Sequence, residues 1–548
     1  MASLKNKMEN YIDIGIDFGA ENIVVIAIGY DNKGRSDYKL INLHSSGSIK
    51  NYIGEKINGK IEIGQDIKIS YIYRESSKDF NWICGRYKAF IAEANAPFFE
   101  KKPDELLKFG LEEVIKKIEA FDFSPILSGE LRNLTVGVPQ SWGFSKKLLY
   151  RDILTIWKYG TVSLLSEPVA ATIAAYNRSS SDIGNNIIMI LDIGASTFDI
   201  SFAKYLEEMK TLDIYKTTYR SEKAGHYFDL VFTSFTLMSD INKFATLEII
   251  DKTAKLKLRK IEDYIEYLQK NQSKYSSLLL EIETLKENHL LEVVKFSRKK
   301  LIDIGTKTPI TVTKQIYTDS LNYYVSKISS EINNIILQFK ETENLNEKEI
   351  IYPFLCGGAS SLNNLEKSLK EQLNSPEKDR LFSIIKEGQG SKIDTTIAVG
   401  LAQYAQNKSI ISKKLEYSVG VKIPVDEGNE RKDFWLLNEG ESYPLEADKK
   451  FSETIGSEKE LQYFGNGNGK ISFPVIQKSN LDGYKEHLDI ISITMDQCDR
   501  GDSFDLLFNV DIDGIITISI RNITKELTIN KTLSMKNSFI VEGGLLIL

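Results

Sequence analysis

Proline and cysteine are scarce in this chain, whose 548 residues include 11 Pro and three Cys. So little proline beside 35 Gly excludes a collagen-like or linker-dominated polymer. Cys84, Cys356 and Cys498 lie far apart without metal-ligand spacing, which argues against a disulfide scaffold and for a reducing, cytoplasmic compartment. No apolar run reaches the roughly 18 residues that a membrane-spanning helix needs. The N-terminal MASLKNKMENYIDIG has no long apolar stretch before a small-residue cleavage site, so no secretory leader is expected. An excess of one charge is also missing, since 70 Lys plus Arg meet 76 Asp plus Glu for a net charge of -6. With no basic-aromatic stripe, nucleic acid is not an expected partner. The GxxxxGK(S/T) loop of P-loop ATPases and the GxGxxG of Rossmann dinucleotide sites are both missing.

What is present is globular: 42% hydrophobic and 27% charged residues, in a chain long enough for two or more domains. Residues 11–30 read as a hairpin, YIDIGIDFG followed by NIVVIAIG, with short strands at INLH (41–44) and IEIG (61–64). A helix is expected over 104–120, a buried strand at LTVGVP (134–139), and a helix around FSKKLLYRDILTIW. EPVAATIAAY (167–176) reads as a helix with Pro in its first turn, where a missing amide donor is harmless. Residues 186–205 repeat the opening pattern of strand, Gly-containing turn and strand, so DFG at 17–19 and DIG at 192–194 form a candidate internal repeat. Between 236 and 305 helix formers dominate, and IEDYIEYLQKNQSKYSSLLLEIETLKENHLLEVV reads as an antiparallel helical hairpin. Its charged faces are expected to be solvated, with a partner-binding arm as the alternative. After a helix at YTDSLNYYVSKISSEINNIILQF come the strand IIYPFLCGG and the small-residue helix TTIAVGLAQYA. Beyond 415 the pattern changes to short strands divided by turns, the signature of a separate β-sandwich behind a polar connector near 406–414. The terminal GGLLIL is expected to be a strand or packed tail, or a docking segment.

The repeated turns suggest a polyphosphate site. Asp17 and Asp192, each ending an apolar strand, are placed to bracket a magnesium ion, directly or through waters. Gly19 and Gly194 allow tight turns whose amides approach phosphate, and Ala195 preserves that approach. Ser196 and Thr197 offer hydroxyls and amides to phosphate, while Glu167 or Asp199 would orient a metal-bound or attacking water. Gly357 and Gly358 let an adenosine approach the backbone. The alternative is that these acids and glycines merely cap turns.

These motifs, in this order, resemble the seventy-kilodalton heat-shock chaperone family, the DnaK-like proteins, within the actin and sugar-kinase superfamily. IGIDFGAEN (14–22) resembles the first phosphate motif, LLSEPVAATIAAY (164–176) a connecting helix, and ILDIGASTFDI (190–200) the second phosphate motif. AGHYFD (224–229) resembles the glycine-acidic signature that follows, LCGGASSLNN (355–364) the adenosine motif, and DTTIAVGLA (394–402) the last connecting helix. FNVDIDGIITISIRNITKEL (508–527) is similar to late strands of the family's peptide-binding β-sandwich. The resemblance implies an α/β, two-lobed actin-like ATPase fold over 1–409, enlarged near 236–305, then a small β-sandwich over 410–548. Typical members continue into a helical lid; with the sequence stopping at Leu548, a lidless domain is expected.

The function implied is a divergent ATP-dependent chaperone with ATP/ADP and Mg2+ as cofactors, polypeptide clients and a co-chaperone; the alternative is a nucleotide sensor with little or no hydrolysis. Ala20, Glu21, Gly225 and Ala359 join the nucleotide contacts by position in the motifs, and Glu167, Asp199 and Thr197 are the catalytic candidates. Four departures accompany the match. Ala20 and Glu21 stand where the family has two Thr, and Asn81 stands where it has a catalytic Lys before Gly-Arg, leaving Lys78 or Lys88 as substitutes. The connector QNKSIISKKLEYS is basic where the family's is acidic and Leu-rich, with Ile410, Ile411 and Leu415 as a reduced docking patch. No Arg follows Gly358 to stack on adenine, which predicts weaker or differently arranged nucleotide contacts.

Overall fold

Two β-branched runs open the structure, a computed structural model that describes residues 11–407 apart from short breaks and 91–100, 240–257, 289–299, 303–309 and 384–394. Beyond 407 it describes strand segments between Ile411 and Leu546. Strands β1 (Tyr11–Phe18) and β2 (Asn22–Tyr30) pair antiparallel as the expected hairpin, and β3 (Ser36–Leu40) extends it. Both β1 and β2 are buried along nearly their whole length, because each sheet face is covered. On the other side of β1, β4 (Glu130–Val138) and then β5 (Val162–Ser166) run parallel to it. The order is therefore β3-β2-β1-β4-β5. A three-stranded sheet of Tyr52–Lys56, Ile61–Ile63 and Phe80–Gly85 stands beside it, with helix α1 (Gln65–Ile72) packed against it. Helices α2 (Pro103–Glu119) and α3 (Phe144–Ile153) belong to the same half, and β5 leads directly into α4 (Glu167–Ile183).

The same plan then recurs. Strands β6 (Ile187–Ile193), β7 (Phe198–Leu206) and β8 (Thr211–Ile214) form an antiparallel meander, while β9 (Ile351–Cys356) runs parallel to β6 and β10 (Phe382–Ser383) parallel to β9. The order β8-β7-β6-β9-β10 reproduces the first sheet strand for strand. Helix α5 (Gly225–Ser239) follows, then α6 (Ile261–Lys270), α7 (Ser276–Asn288) and the long α8 (Lys314–Thr342). One core joins β6 and β7 to these helices, with Phe202 stacked on Phe339 at 3.8 Å between ring centroids.

Helix α9 (Thr396–Gln406) ties the halves together by lying on β1 and against α4. Two glycines make this possible: a methyl group on Gly400 would overlap the Ala170 carbonyl, and one on Gly15 would strike the backbone at Ala398 and Ala402. The 261–288 region forms two helices as expected, but its charges are not all solvated. Glu283 on α7 is buried in an ion pair with Lys68, and the half-buried Lys286 pairs with the buried Asp229. The helical periodicity was correct, while partners more than fifty residues away in sequence were invisible to it.

After α9 every described element is a strand. The connector residues Ile411–Lys414 form β11, parallel to β8 with Leu212 opposite Ile411 and Asp213 opposite Ser412. Two four-stranded antiparallel sheets follow. One has the order Arg431–Leu437, Ser418–Pro424, Lys470–Lys478, Lys485–Thr494; the other Leu461–Gln462, Ser503–Val510, Ile516–Asn522, Thr532–Ser534. Gly544–Leu546 pairs with Phe539–Val541, so the apolar tail is a strand. Among the described residues no helix is long and apolar enough to cross a membrane. Cys498, Lys78, Ile410 and Leu415 lie outside the described residues.

Candidate functional site

Asp17 and Asp192 occupy the same place in the duplicated plan, each the penultimate residue of its sheet's central strand. Asp192 is buried, and its register partner on β7 is Asp199. The turn after β6 closes with the Gly194 amide donating to the Thr197 carbonyl at 2.9 Å. The start of α5 docks on that turn, as the amides of Gly225 and His226 donate to the carbonyls of Gly194 (3.0 Å) and Ala195 (2.8 Å). A methyl group on Gly225 would lie 3.3 Å from the Ala359 side chain. Gly194, Ala195, Gly225 and Ala359 therefore converge from three distant parts of the sequence. Gly357 adopts φ +89°, and a side chain there would strike the Asp192 carboxylate and the Ile193 backbone. Gly358 is exposed beside it, and Ser196 Oγ lies 3.4 Å from His226 Nδ1.

The turn after β1 is held from below. Asn51 donates its side-chain amide to the Gly19 carbonyl (2.8 Å) and its backbone amide to the Glu21 carbonyl (2.9 Å), while accepting from the Tyr87 hydroxyl (2.7 Å). Ala20 is half-buried in this turn. The Glu21 carboxylate turns into the protein, where Lys68 Nζ contacts it at 2.6 Å and also reaches Glu283 at 3.0 Å. All three side chains are at most 7% exposed. The repulsion that Glu21 threatens toward a polyanion is thus answered locally, and the same lysine links the first turn to α7 of the second half.

Glu167 follows β5 directly. As the first residue of α4 it accepts from Lys88 Nζ at 2.7 Å, and that buried ammonium lies 5.8 Å from the Trp142 ring centre. Burial pushes the Asp199 carboxyl above its ordinary range and the Glu167 charge adds to this, against the Thr197 hydroxyl and Arg220. Burial likewise holds the Tyr150 phenol protonated well above the usual tyrosine range, reinforced by Glu167, Tyr87 and Asp17. Asp17 and Glu167 therefore both act on Tyr150, and Glu167 acts on Asp199, the partner of Asp192. Asn81 points elsewhere, donating to the Glu55 side chain (3.0 Å) and the Lys56 carbonyl. Of the two lysines weighed from sequence, Lys88 stands among the acids. Tyr150, Asn51, Lys68 and Glu283 carried no motif and were missed.

Among the described residues no group of three or more His, Cys, Asp or Glu could hold a metal by itself. Two carboxylates at strand ends beside glycine turns suit Mg2+, which keeps waters and takes substrate phosphate oxygens as ligands, and do not suit an all-protein cage.

A family model described as "Hsp70 protein" matches residues 102–338. A chaperone protein HscA homolog of Shewanella woodyi is 23% identical over 419 residues, 72% of this chain and 59% of that relative. The chaperone protein dnaK1 of a Nostoc species is 24% identical over 234 residues, 39% of this chain and 33% of its own. DnaK of Methanothermobacter thermautotrophicus is 29% identical over 106 residues, 19% and 17% of the two chains. The matches thus span about three-fifths of the first relative and a third or less of the others. Over the matched residues the chain is similar to Hsp70, DnaK-like chaperones.

Proposed function

We propose that the chain is a divergent Hsp70-type ATPase that binds Mg-ATP between two actin-like lobes and couples it to a β-sandwich holding polypeptide. The observation that carries this reading is the duplicated sheet with Asp17 and Asp192 at matching strand ends. In this reading residues 1–409 form the nucleotide-binding unit and 410–548 the client-binding unit, assisted by a co-chaperone. Asp17 and Asp192 would hold Mg2+, which when bound offsets the phosphate charge. The amides of Gly19, Ala20 and Glu21, with Gly194, Ala195, Ser196 and Thr197, line the phosphates, while Gly225, Gly357, Gly358 and Ala359 line the nucleoside. Glu167 and Asp199 orient water. Its oxygen adds to the terminal phosphorus, the bond to the ADP oxygen breaks, and the water proton leaves through a carboxylate to the phosphate. The buried Cys84 and Cys356 thiols support a cytoplasmic setting.

A second reading, a nucleotide sensor with little hydrolysis, draws on the outward-turned Asn81. An ATP time course with purified protein separates the two. Magnesium-dependent ADP formation that is lost in Asp192→Asn supports the ATPase, and tight ATP binding without product supports the sensor. Extended hydrophobic peptides should bind with different affinity in ATP and ADP; binding in neither state would remove the client-binding part of the proposal.

A further inference from the structure

Tyr150 is fully buried on α3, and its hydroxyl has no hydrogen-bond partner among the described residues. Phe18 and Trp142 pack edge-on against its ring, at 6.4 and 5.3 Å between centroids, and fix its direction. A buried hydroxyl left unmatched is costly, so such a group calls for an explanation. This one lies near the acids: its ring neighbour Phe18 directly follows Asp17, and its other neighbour Trp142 faces Lys88, which holds Glu167 Oε1. The phenol stays protonated and is therefore a donor awaiting an oxygen.

We propose that Tyr150 is a positioning residue for hydrolysis, donating its hydroxyl proton to the attacking water while the Glu167 carboxylate accepts a hydrogen bond from that same water. The inference rests on the ATPase reading of the site. With one lone pair directed to Tyr150 and one hydrogen to Glu167, the water keeps its remaining lone pair for the terminal phosphorus of ATP. The new oxygen–phosphorus bond forms as the bond to the ADP oxygen breaks, and the proton released passes through Glu167 to inorganic phosphate. Lys88 holds the Glu167 carboxylate in place through its contact with Oε1. Neither Tyr150 nor Lys88 touches the adenosine side in this arrangement, so nucleotide affinity and turnover should separate.

The test is Tyr150→Phe in the full chain, read by single-turnover hydrolysis, Mg-ATP affinity and thermal midpoint. Tyr264→Phe serves as the control, because Tyr264 is also buried with a hydroxyl unpartnered among the described residues but sits on α6. The expected result is a turnover lower by roughly tenfold or more, the scale of losing one positioned hydrogen bond. ATP affinity should stay within about twofold, with an unchanged or higher midpoint, and Tyr264→Phe should match wild type throughout. Tyr150→Phe turning over like wild type, or losing turnover only in step with stability, would overturn the assignment. Wild-type protein that binds Mg-ATP without hydrolysing it overturns it as well. Wild-type protein that binds no nucleotide overturns the ATPase reading itself.

Discussion

Lys68 sits between two carboxylates from opposite halves of the molecule, Glu21 and Glu283, with all three withdrawn from water. Removing one member of a buried ionic group strands the others, at a cost of about 3–5 kcal/mol. Lys68→Met should therefore lower stability by that order, and Glu283→Gln by less, since Lys68 then still holds Glu21. Urea unfolding followed by tryptophan fluorescence measures both, and equal or negligible losses would count against the arrangement. At Asp199 the sign is opposite. Its carboxyl is raised above 3.8 by burial first and by Glu167 after, so the folded protein binds a proton that the unfolded chain has released. Stability contributed by this group is then lost as pH rises from 3.8 through the raised value. In nucleotide-free protein Asp199→Asn should raise the thermal midpoint at pH 7 and lose that advantage near pH 3.8, while slowing ATP turnover at every pH. At this scale the sequence told only part of the story. Gly194, Gly225 and Gly357 were legible because backbone approach demands glycine locally, whereas Glu21, Lys68 and Tyr150 draw their roles from neighbours brought near only by folding.

Elements were easier to read than contacts, for a physical reason. The strand periodicity of YIDIGIDF and IIMILDI and the small-residue face of TIAVGLAQYA depend on what each segment buries, and burial leaves its pattern in the local sequence. The connector behaved differently. ISKK has one apolar residue and two lysines, yet Ile411–Lys414 completes a β-ladder beside β8, because pairing at a sheet edge uses backbone groups that any side chain permits. A proline there removes a ladder donor. Ser412→Pro should release β11 and raise tryptic cleavage at Lys413 and Lys414, with ATP hydrolysis persisting and peptide release no longer responding to ATP. Unchanged cleavage would mean that β11 does not hold the connector.

Across the whole molecule, the duplication sets two alike acidic strand ends in two sheets. Each sheet presents an acidic strand end, α4 and α9 cross where Gly400 admits the Ala170 carbonyl, and Glu167 stands at the start of that crossing. The internal repeat was visible in sequence as DFG and DIG, but the identity of the two strand orders was not, since β9 and β10 follow β8 only after more than a hundred intervening residues. The central claim is that these matching strand ends share one Mg-nucleotide. Calorimetric titration of ATP, with Mg2+ and with EDTA, into wild type, Asp17→Asn and Asp192→Asn tests it most directly. One nucleotide should bind wild type, and each substitution should weaken Mg-ATP binding by at least tenfold, about 1.4 kcal/mol, with little effect in EDTA. Mg-ATP binding that survives either substitution at full strength would contradict a site shared between the two sheets.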